Sequence, residues 1–206
     1  MQLTRSSLCS ILLENGEEDL AVLIARADLP EILDSASHAH GLESPNWLAA
    51  LEELDAAVGR FAPRLGATHG LLVTADHGVI DVPHEAQIVV APELVEGVRH
   101  VAGEPRCLQL HLEPGEAAEQ HAERWRTSEG SRAWVATRAE AIEAGWFGEV
   151  AAEVLPRIGD VLIAARKRVA YYVDADDRGR KMIGQHGSLS PDELNIPLLK
   201  FGAFSR

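Results

Sequence analysis

Cysteine is scarce: Cys9 and Cys107 are the only two, far apart and in no CxxC pairing. That excludes a disulfide framework and a thiolate zinc site, and both thiols read as buried and inert. No apolar run reaches the length of a membrane span. The N-terminal run at residues 8–13 is broken by Ser10 and followed by Glu14, Glu17, Glu18 and Asp19. It does not form a secretory hydrophobic core, so a soluble, cytoplasmic chain is the expectation. Basic residues are outnumbered, 19 Lys and Arg against 32 Asp and Glu, for a net charge of −13 with His neutral. A chain that acidic repels nucleic acid and anionic membranes. The short basic patches at residues 166–168 and 178–181 read as solvated turns. Trp47, Trp125, Trp134 and Trp146 carry no basic interleaving, so no platform for stacking bases is indicated.

What is present is globular in character. The 206 residues are 46% hydrophobic and 25% charged, which supplies a core and excludes wholesale disorder. An acidic protein that handles phosphate needs a local source of positive charge, and bound metal ions are the obvious one. The nine His beside 32 carboxylates keep that option open.

Elements alternate along the chain. Residues 20–25 (LAVLIA) suit a buried strand or a helix, and residues 34–44 (DSASHAHGLES) read as a polar loop. Ser44-Pro45 reads as an N-cap followed by Pro at the first helical position. Leu48, Leu51, Leu54, Val58 and Phe61 then fall at helical spacing until Pro63 and Gly66. A buried strand at residues 70–73 runs into Thr74-Ala75-Asp76-His77-Gly78. Strands are expected at 87–91, 106–112 and 132–136, with helices at 114–125 and, from a Thr137/Glu140 capping box, 137–144. Residues 158–165 and 169–173 read as a hairpin across Arg166-Lys167-Arg168. Ser190-Pro191-Asp192-Glu193 reads as a second capping box. Residues 174–179 have the look of a calcium loop without its late bidentate Glu, so a polar turn is the reading.

Three clusters place His or Asp next to Gly: Asp34 to Gly41 with His38 and His40, Asp76-His77-Gly78, and His186-Gly187. Imidazole and carboxylate together suit zinc and related ions, and Gly lets the backbone turn sharply beside them. The residues alone give a mixed α/β protein whose Asp/His loops either hold metal or are hydrogen-bonded turns.

These same residues carry a resemblance. Thr74-Ala75-Asp76-His77-Gly78 after an apolar strand resembles the (T/S)-x-D-H-G motif of the alkaline phosphatase superfamily. It is most similar to the type I phosphodiesterase/nucleotide pyrophosphatase branch. The segment Asp34-x3-His38-x-His40-Gly41, followed by Ser44-Pro45-Asn46-Trp47, resembles the family's D-x-x-x-H-x-x-G segment. Gly184-Gln185-His186-Gly187 and the following stretch to Leu199 resemble its late HG…E…VPL segment. The resemblance implies the C-terminal portion of an alkaline-phosphatase-like α/β sheet flanked by helices. On that reading residues 1–206 are one partial domain, with about 86–175 as an inserted α+β subregion.

The resemblance implies metal-dependent hydrolysis of phosphodiester or nucleotide pyrophosphate bonds on a phosphorylated small molecule or nucleotide. It implies two divalent ions, usually zinc: Asp34, His38 and His186 on one, Asp76 and His77 on the other, with His40 beside them. Two such ions activate a nucleophile and clamp an in-line displacement. The family's nucleophile and one further Asp belong to an N-terminal segment that this sequence does not match. Neither Thr4 nor Ser6 is assigned, and the catalytic nucleophile is unknown. The chain therefore reads as the C-terminal half, a fragment or a truncated product, with an incomplete second site and low or absent activity of its own. Exposed sheet edges would invite a homo-oligomer. A catalytically dead metal-binding or interaction remnant is the alternative.

Overall fold

The computed structural model describes residues 29–205 together with the short strand β1 (Leu12–Leu13). The expected element at 20–25, Thr4, Ser6 and Cys9 lie outside the described residues. Among the described residues, no helix is long and apolar enough to cross a membrane.

The chain divides into two compact units. Unit 1 comprises Met1–Ile80, Met182–Gly184 and Leu194–Arg206; unit 2 comprises Asp81–Lys181 and Gln185–Glu193. The short strands β3 (Ile80–Asp81) and β10 (Gly184–Gln185) lie where the chain passes from one to the other.

Unit 1 opens on helix α1 (Leu29–His40). The sequence reading put residues from Asp34 onward in a loop, and the structure corrects it. Pro30 stands in the first turn, where its missing N–H costs no hydrogen bond, and Glu31 there complements the helix dipole. His38 and His40 occupy the last turn. Gly41, at φ 80°, ends the helix in the left-handed conformation, its N–H reaching Ser37 O at 2.9 Å. The Ser and His residues that looked like loop formers sit inside a helix because its two ends are well specified. Helix α2 (Pro45–Phe61) follows as expected, with the Ser44 side chain accepting from Trp47 N at 3.2 Å and Pro45 at the first position. It buries only Ala50 and Phe61.

Strand β2 (Gly70–Thr74) is central to a three-stranded antiparallel sheet. β1 pairs with it through Leu12↔Leu72 and Leu13↔Leu71. On its other side β11 (Leu198–Gly202) runs from Leu198↔Thr74 to Gly202↔Gly70. Phe61, Leu71 and Val73 form the small core, backed by Val58, Leu65 and Phe201. The segment Met182–Gly184 lies against the end of α1, where Ile183 N donates to His38 O at 2.8 Å. A Cβ on Gly184 would stand 2.4 Å from Ser37 O, so only Gly permits this approach.

Unit 2 is built on a four-stranded antiparallel sheet in the order β5–β6–β8–β7. These are β5 (Val98–Glu104), β6 (Cys107–Leu112), β7 (Ala133–Thr137) and β8 (Val161–Ala165). On one face Leu108, Leu110, Val161 and Ile163 pack under Ala122 and Trp125 of helix α3 (Ala118–Glu129). Trp125 Nε1 donates to Leu94 O at 2.9 Å, and its ring meets that of Tyr171 edge-on at 5.8 Å. On the other face Leu162 packs with Ala141 of helix α4 (Arg138–Glu143), which starts on the expected Thr137/Glu140 capping box. Helix α3 begins later than expected because Pro114 and Gly115 lie in a turn closed by Glu116 N to Glu113 O at 3.1 Å.

The expected hairpin across residues 166–168 does not form. All five residues of β8 are buried and both its edges are occupied, by β6 and β7. β9 (Ala170–Tyr172) instead pairs in parallel with β4 (Gln87–Val89).

The second capping box also does other work. Glu193, in helix α5 (Pro191–Leu194), forms a bidentate pair with the fully buried Arg106, both contacts at 2.7 Å. It further accepts from Ser188 N at 2.9 Å and from Ser190 Oγ. Arg106 Nη1 donates to the carbonyls of Lys167 at 2.9 Å and Val169 at 2.7 Å. Burial by itself pushes the Glu193 carboxyl up, but the hydrogen bonds from Arg106, Ser190 and Ser188 outweigh it and hold the group below the usual carboxylate value. Cys107, expected to be buried, is only half-buried; burial, then the charge of Glu193, push its thiol up to about 11, which disfavours the reactive thiolate.

Three outcomes follow for stability. Glu193→Ala strands a buried guanidinium and should cost about 3–5 kcal/mol in denaturant unfolding. Because the folded-state value of Glu193 is depressed, its contribution is complete above the ordinary 4.5 and is lost as the pH falls below it. The wild type should therefore lose more stability as the pH falls from about 5 to about 2 than Glu193→Gln does. Separately, Gly184→Ala should lower the melting temperature by displacing the end of α1, whereas alanine at the open position Gly59 should not.

Candidate functional site

Helical spacing sets the first pair. Asp34 and His38 are four residues apart on α1 and so lie one turn above the other on one face. Their side chains are largely buried, and His38 Nε2 stands 3.2 Å from Asp34 Oδ1. The backbone of unit 1 fixes the ring: His38 Nδ1 donates to the carbonyl oxygen of Gly184 at 2.8 Å. A carbonyl only accepts, so the proton of a neutral imidazole sits on Nδ1 and the lone pair on Nε2. That lone pair faces a carboxylate oxygen. Asp34 Oδ1 is buried and accepts no hydrogen bond within the described structure. Two electron-rich atoms at this separation need positive charge between them, either a proton on Nε2 or a cation. A ring N–H anchored on a backbone carbonyl is one way in which metal-binding imidazoles are oriented.

The second pair follows strand β2. Antiparallel pairing of Thr74 with Leu198 carries the strand to its end, and the chain then turns through Asp76-His77-Gly78. His77 Nδ1 donates to Gly78 O at 3.0 Å, and its Nε2 lies 3.8 Å from Asp76 Oδ1. The His77 side chain is 19% exposed and that of Asp76 57%, so Asp76 opens to solvent while His77 turns inward.

Unit 1 holds a cavity of about 350 Å³ whose wall includes Asp34 and His77, one member of each pair. Ser37 and Thr74 also line it, and the rest of the wall is apolar, with Leu33, Leu51, Leu54 and Trp47 from the two helices and Val73 and Leu199 from the sheet.

His186 and His40 are placed differently. His40 is exposed at the end of α1. His186 belongs to unit 2, in a loop held by Gln185 Nε2 on Tyr172 OH at 2.8 Å and by Ser188 Oγ on Ala165 O at 2.7 Å. Its assignment as a ligand rests on its sequence motif alone. Among the described residues, no group of three or more His, Cys, Asp or Glu side chains forms a metal-binding set. What unit 1 presents is two Asp/His pairs, each with its ring anchored on a backbone carbonyl, and one buried carboxylate oxygen without a hydrogen bond.

Two contributors escaped the sequence reading. Gly184 was read only as a neighbour of His186, yet its carbonyl orients His38. Arg106 was read as the start of a strand, yet it carries the carboxylate of Glu193. The remaining polar candidates are structural. His121 is buried and bonded to Glu116 Oε2 at 2.9 Å. Asp160 accepts from Leu112 N at 2.9 Å and pairs with Arg138 at 2.7 Å. Residues 174–179 form a polar turn in which Asp174 and Asp177 accept from backbone N–H groups two residues on.

No curated protein matches the sequence. Among solved structures, human ectonucleotide pyrophosphatase/phosphodiesterase 5 superposes with a TM-score of 0.64 at 18% identity, over 82% of this chain and 44% of that one. The murine form of that enzyme, an inactive variant in complex with AMP, gives 0.62 at 17% identity over 82% and 45%. Phosphonoacetate hydrolase from Sinorhizobium meliloti, in complex with phosphonoformate, gives 0.61 at 19% over 81% and 43%. At these identities the likeness shows the fold: part of an alkaline-phosphatase-like mixed α/β architecture. The chain spans less than half the length of these neighbours. The family model described as type I phosphodiesterase / nucleotide pyrophosphatase matches residues 29–189, from the start of α1 to beyond the His186 motif, and the chain belongs to that family.

Proposed function

We propose that this chain is the metal-binding part of a hydrolase that cleaves phosphodiester or nucleotide pyrophosphate bonds with the help of two divalent ions, zinc in the first instance. The observation that carries the reading is the Asp34/His38 pair, with one ring nitrogen anchored on Gly184 O and a carboxylate oxygen that lacks a hydrogen bond. The donor set fits: imidazole and carboxylate are ligands that zinc accepts. Asp34 and His38 would hold one ion, with His186 added by its motif. Asp76 and His77 would hold a second, weaker one, with His40 nearby as a supporting group. Bound divalent ions would polarise the phosphoryl group and lower the pKa of a nucleophile.

The chain's own residues have defined tasks in this reading. Gly184 O would keep the His38 proton on Nδ1 and turn Nε2 towards Asp34. Gly78 O would likewise keep the His77 proton on Nδ1. With a net charge of −13, the protein would receive a phosphorylated small molecule or nucleotide only where cations offset that charge, and nucleic acid and membranes are not partners. The neighbours' complexes with AMP and phosphonoformate support a small phosphorylated or phosphonate ligand. On this reading residues from about 86 to 175 would be an inserted α+β subregion between the motif-bearing segments. Exposed Leu198 and Leu199 on β11 favour association with a second copy.

No residue among the 206 matches the family's nucleophile, which favours a second reading of this chain by itself, a metal-binding remnant without turnover. Zinc titration by calorimetry tests the site. The wild type should bind zinc, and Asp34→Ala and His38→Ala should each weaken the tighter phase by about tenfold or more. Asp76→Ala should remove only the weaker phase. No zinc uptake, or uptake unaffected by these changes, refutes the site. Turnover of bis(p-nitrophenyl) phosphate by the purified chain should stay at background. Robust turnover that disappears in His186→Ala would instead show that these 206 residues suffice.

A further inference from the structure

We infer that His100 and His111 form a two-imidazole chelate for a divalent transition-metal ion, Cu(II) before Ni(II) or Zn(II), on the outer face of the β5–β6 hairpin. Both residues belong to unit 2, so the inference is independent of the Asp34/His38 reading. The two-residue link Pro105-Arg106 and the pairing that starts at Glu104↔Cys107 fix which residues stand opposite each other. His100 and His111 are direct cross-strand partners. Leu110 and Leu112, on either side of His111, belong to the core, so strand alternation puts both histidines on the opposite face. Directly opposed residues hold their Cβ atoms about 4.5–5.5 Å apart, which suits two ligands of one ion.

The rings agree with this placement. Their centroids are 6.0 Å apart and their planes are tilted by 35°. With metal–nitrogen bonds of about 2.0–2.1 Å, two rings on a shared ion have centroids about 5 Å apart, a small side-chain rotation away. His100 is exposed and His111 partly so, and among the described residues no protein group hydrogen-bonds to either ring. His121 of the same unit differs, since its Nε2 is engaged by Glu116 Oε2 at 2.9 Å. Burial lowers the pKa of His111; Asp160 opposes this, while His100, Arg138 and Arg99 add to the lowering, so a neutral ring with a free lone pair prevails at neutral pH. The oxygens of Asp160 are already used, one on Leu112 N and one on Arg138. Oxygen-seeking Ca²⁺ or Mg²⁺ would therefore find no carboxylate here, whereas imidazole selects copper, nickel and zinc, Cu(II) most strongly. Water would fill the remaining positions of the ion. Among the described residues β5 pairs only with β6, and its register shifts between Val98 and His100. A chelate across the pair would fasten this edge strand to its neighbour.

The test titrates the isotope-labelled 206-residue chain with Cu(II) and follows the backbone amide signals by NMR. Paramagnetic broadening at substoichiometric Cu(II) should centre on His100, Val101, Leu110 and His111. The Cu(II) concentration that halves these signals should rise at least about tenfold in His100→Ala and in His111→Gln, because each removes one arm of the chelate. Unchanged amide spectra of the copper-free variants would show that the fold is kept, and His100→Gln serves as a second variant at the exposed position. Signals near Asp34 report the unit 1 site separately. No broadening at the hairpin overturns the inference, whatever happens near Asp34. Hairpin broadening that survives the loss of either histidine without change also overturns it, since one imidazole would then suffice.

Discussion

The guanidinium of Arg106 ties together stretches of unit 2 that sequence keeps far apart. It holds the carboxylate of Glu193 with two hydrogen bonds and the carbonyls of Lys167 and Val169 with others. Such a pair, fully out of water, is tolerated only because every donor and acceptor around it is used. Its Glu193 partner also collects Ser188 N and Ser190 Oγ, so the loop between β10 and α5 has a single seat on the unit. The loop bearing His186 is thus shaped by an interaction that does not involve His186.

In unit 1 the corresponding constraint is a close approach of backbone to backbone. Gly184 can lie against the last turn of α1 because it has no Cβ, and its carbonyl then chooses the tautomer of His38. Helical spacing supplies the opposing carboxylate of Asp34. The chemistry of the pair comes from two inexpensive devices, a four-residue repeat and a missing side chain. Neither would mark itself as functional in isolation.

Much of this was readable from the residues. Ser44-Pro45 and the leucine spacing after it gave α2 its start and its length, and Thr137 with Glu140 gave α4 its cap, because these are local hydrogen-bond and propensity effects. The Asp-His-Gly turn after β2 stood out for the same reason. The helical state of Asp34 to His40 did not, since Asp, Ser and His favour turns locally and the helix depends on its ends. The false hairpin after β8 is instructive. Two apolar runs around a basic turn look like neighbours, but only the full sheet reveals that both edges of β8 are occupied. Arg106 and Glu193 lie 87 positions apart, and no local pattern announces such a pair. The site was readable as residue types and opaque as partnerships.

The His38–Gly184 hydrogen bond also has a meaning in time. Its two ends are separated by 146 positions. A chain leaving the ribosome from its N-terminus presents Asp34 and His38 early, and α1 can form at once from local contacts. The imidazole, however, gains its fixed orientation only after residue 184 has been synthesised and the loop between them closed, an entropic step that local structure cannot shorten. Nascent chains that stop short of residue 184 therefore carry the Asp34/His38 pair without the contact that orients its ring.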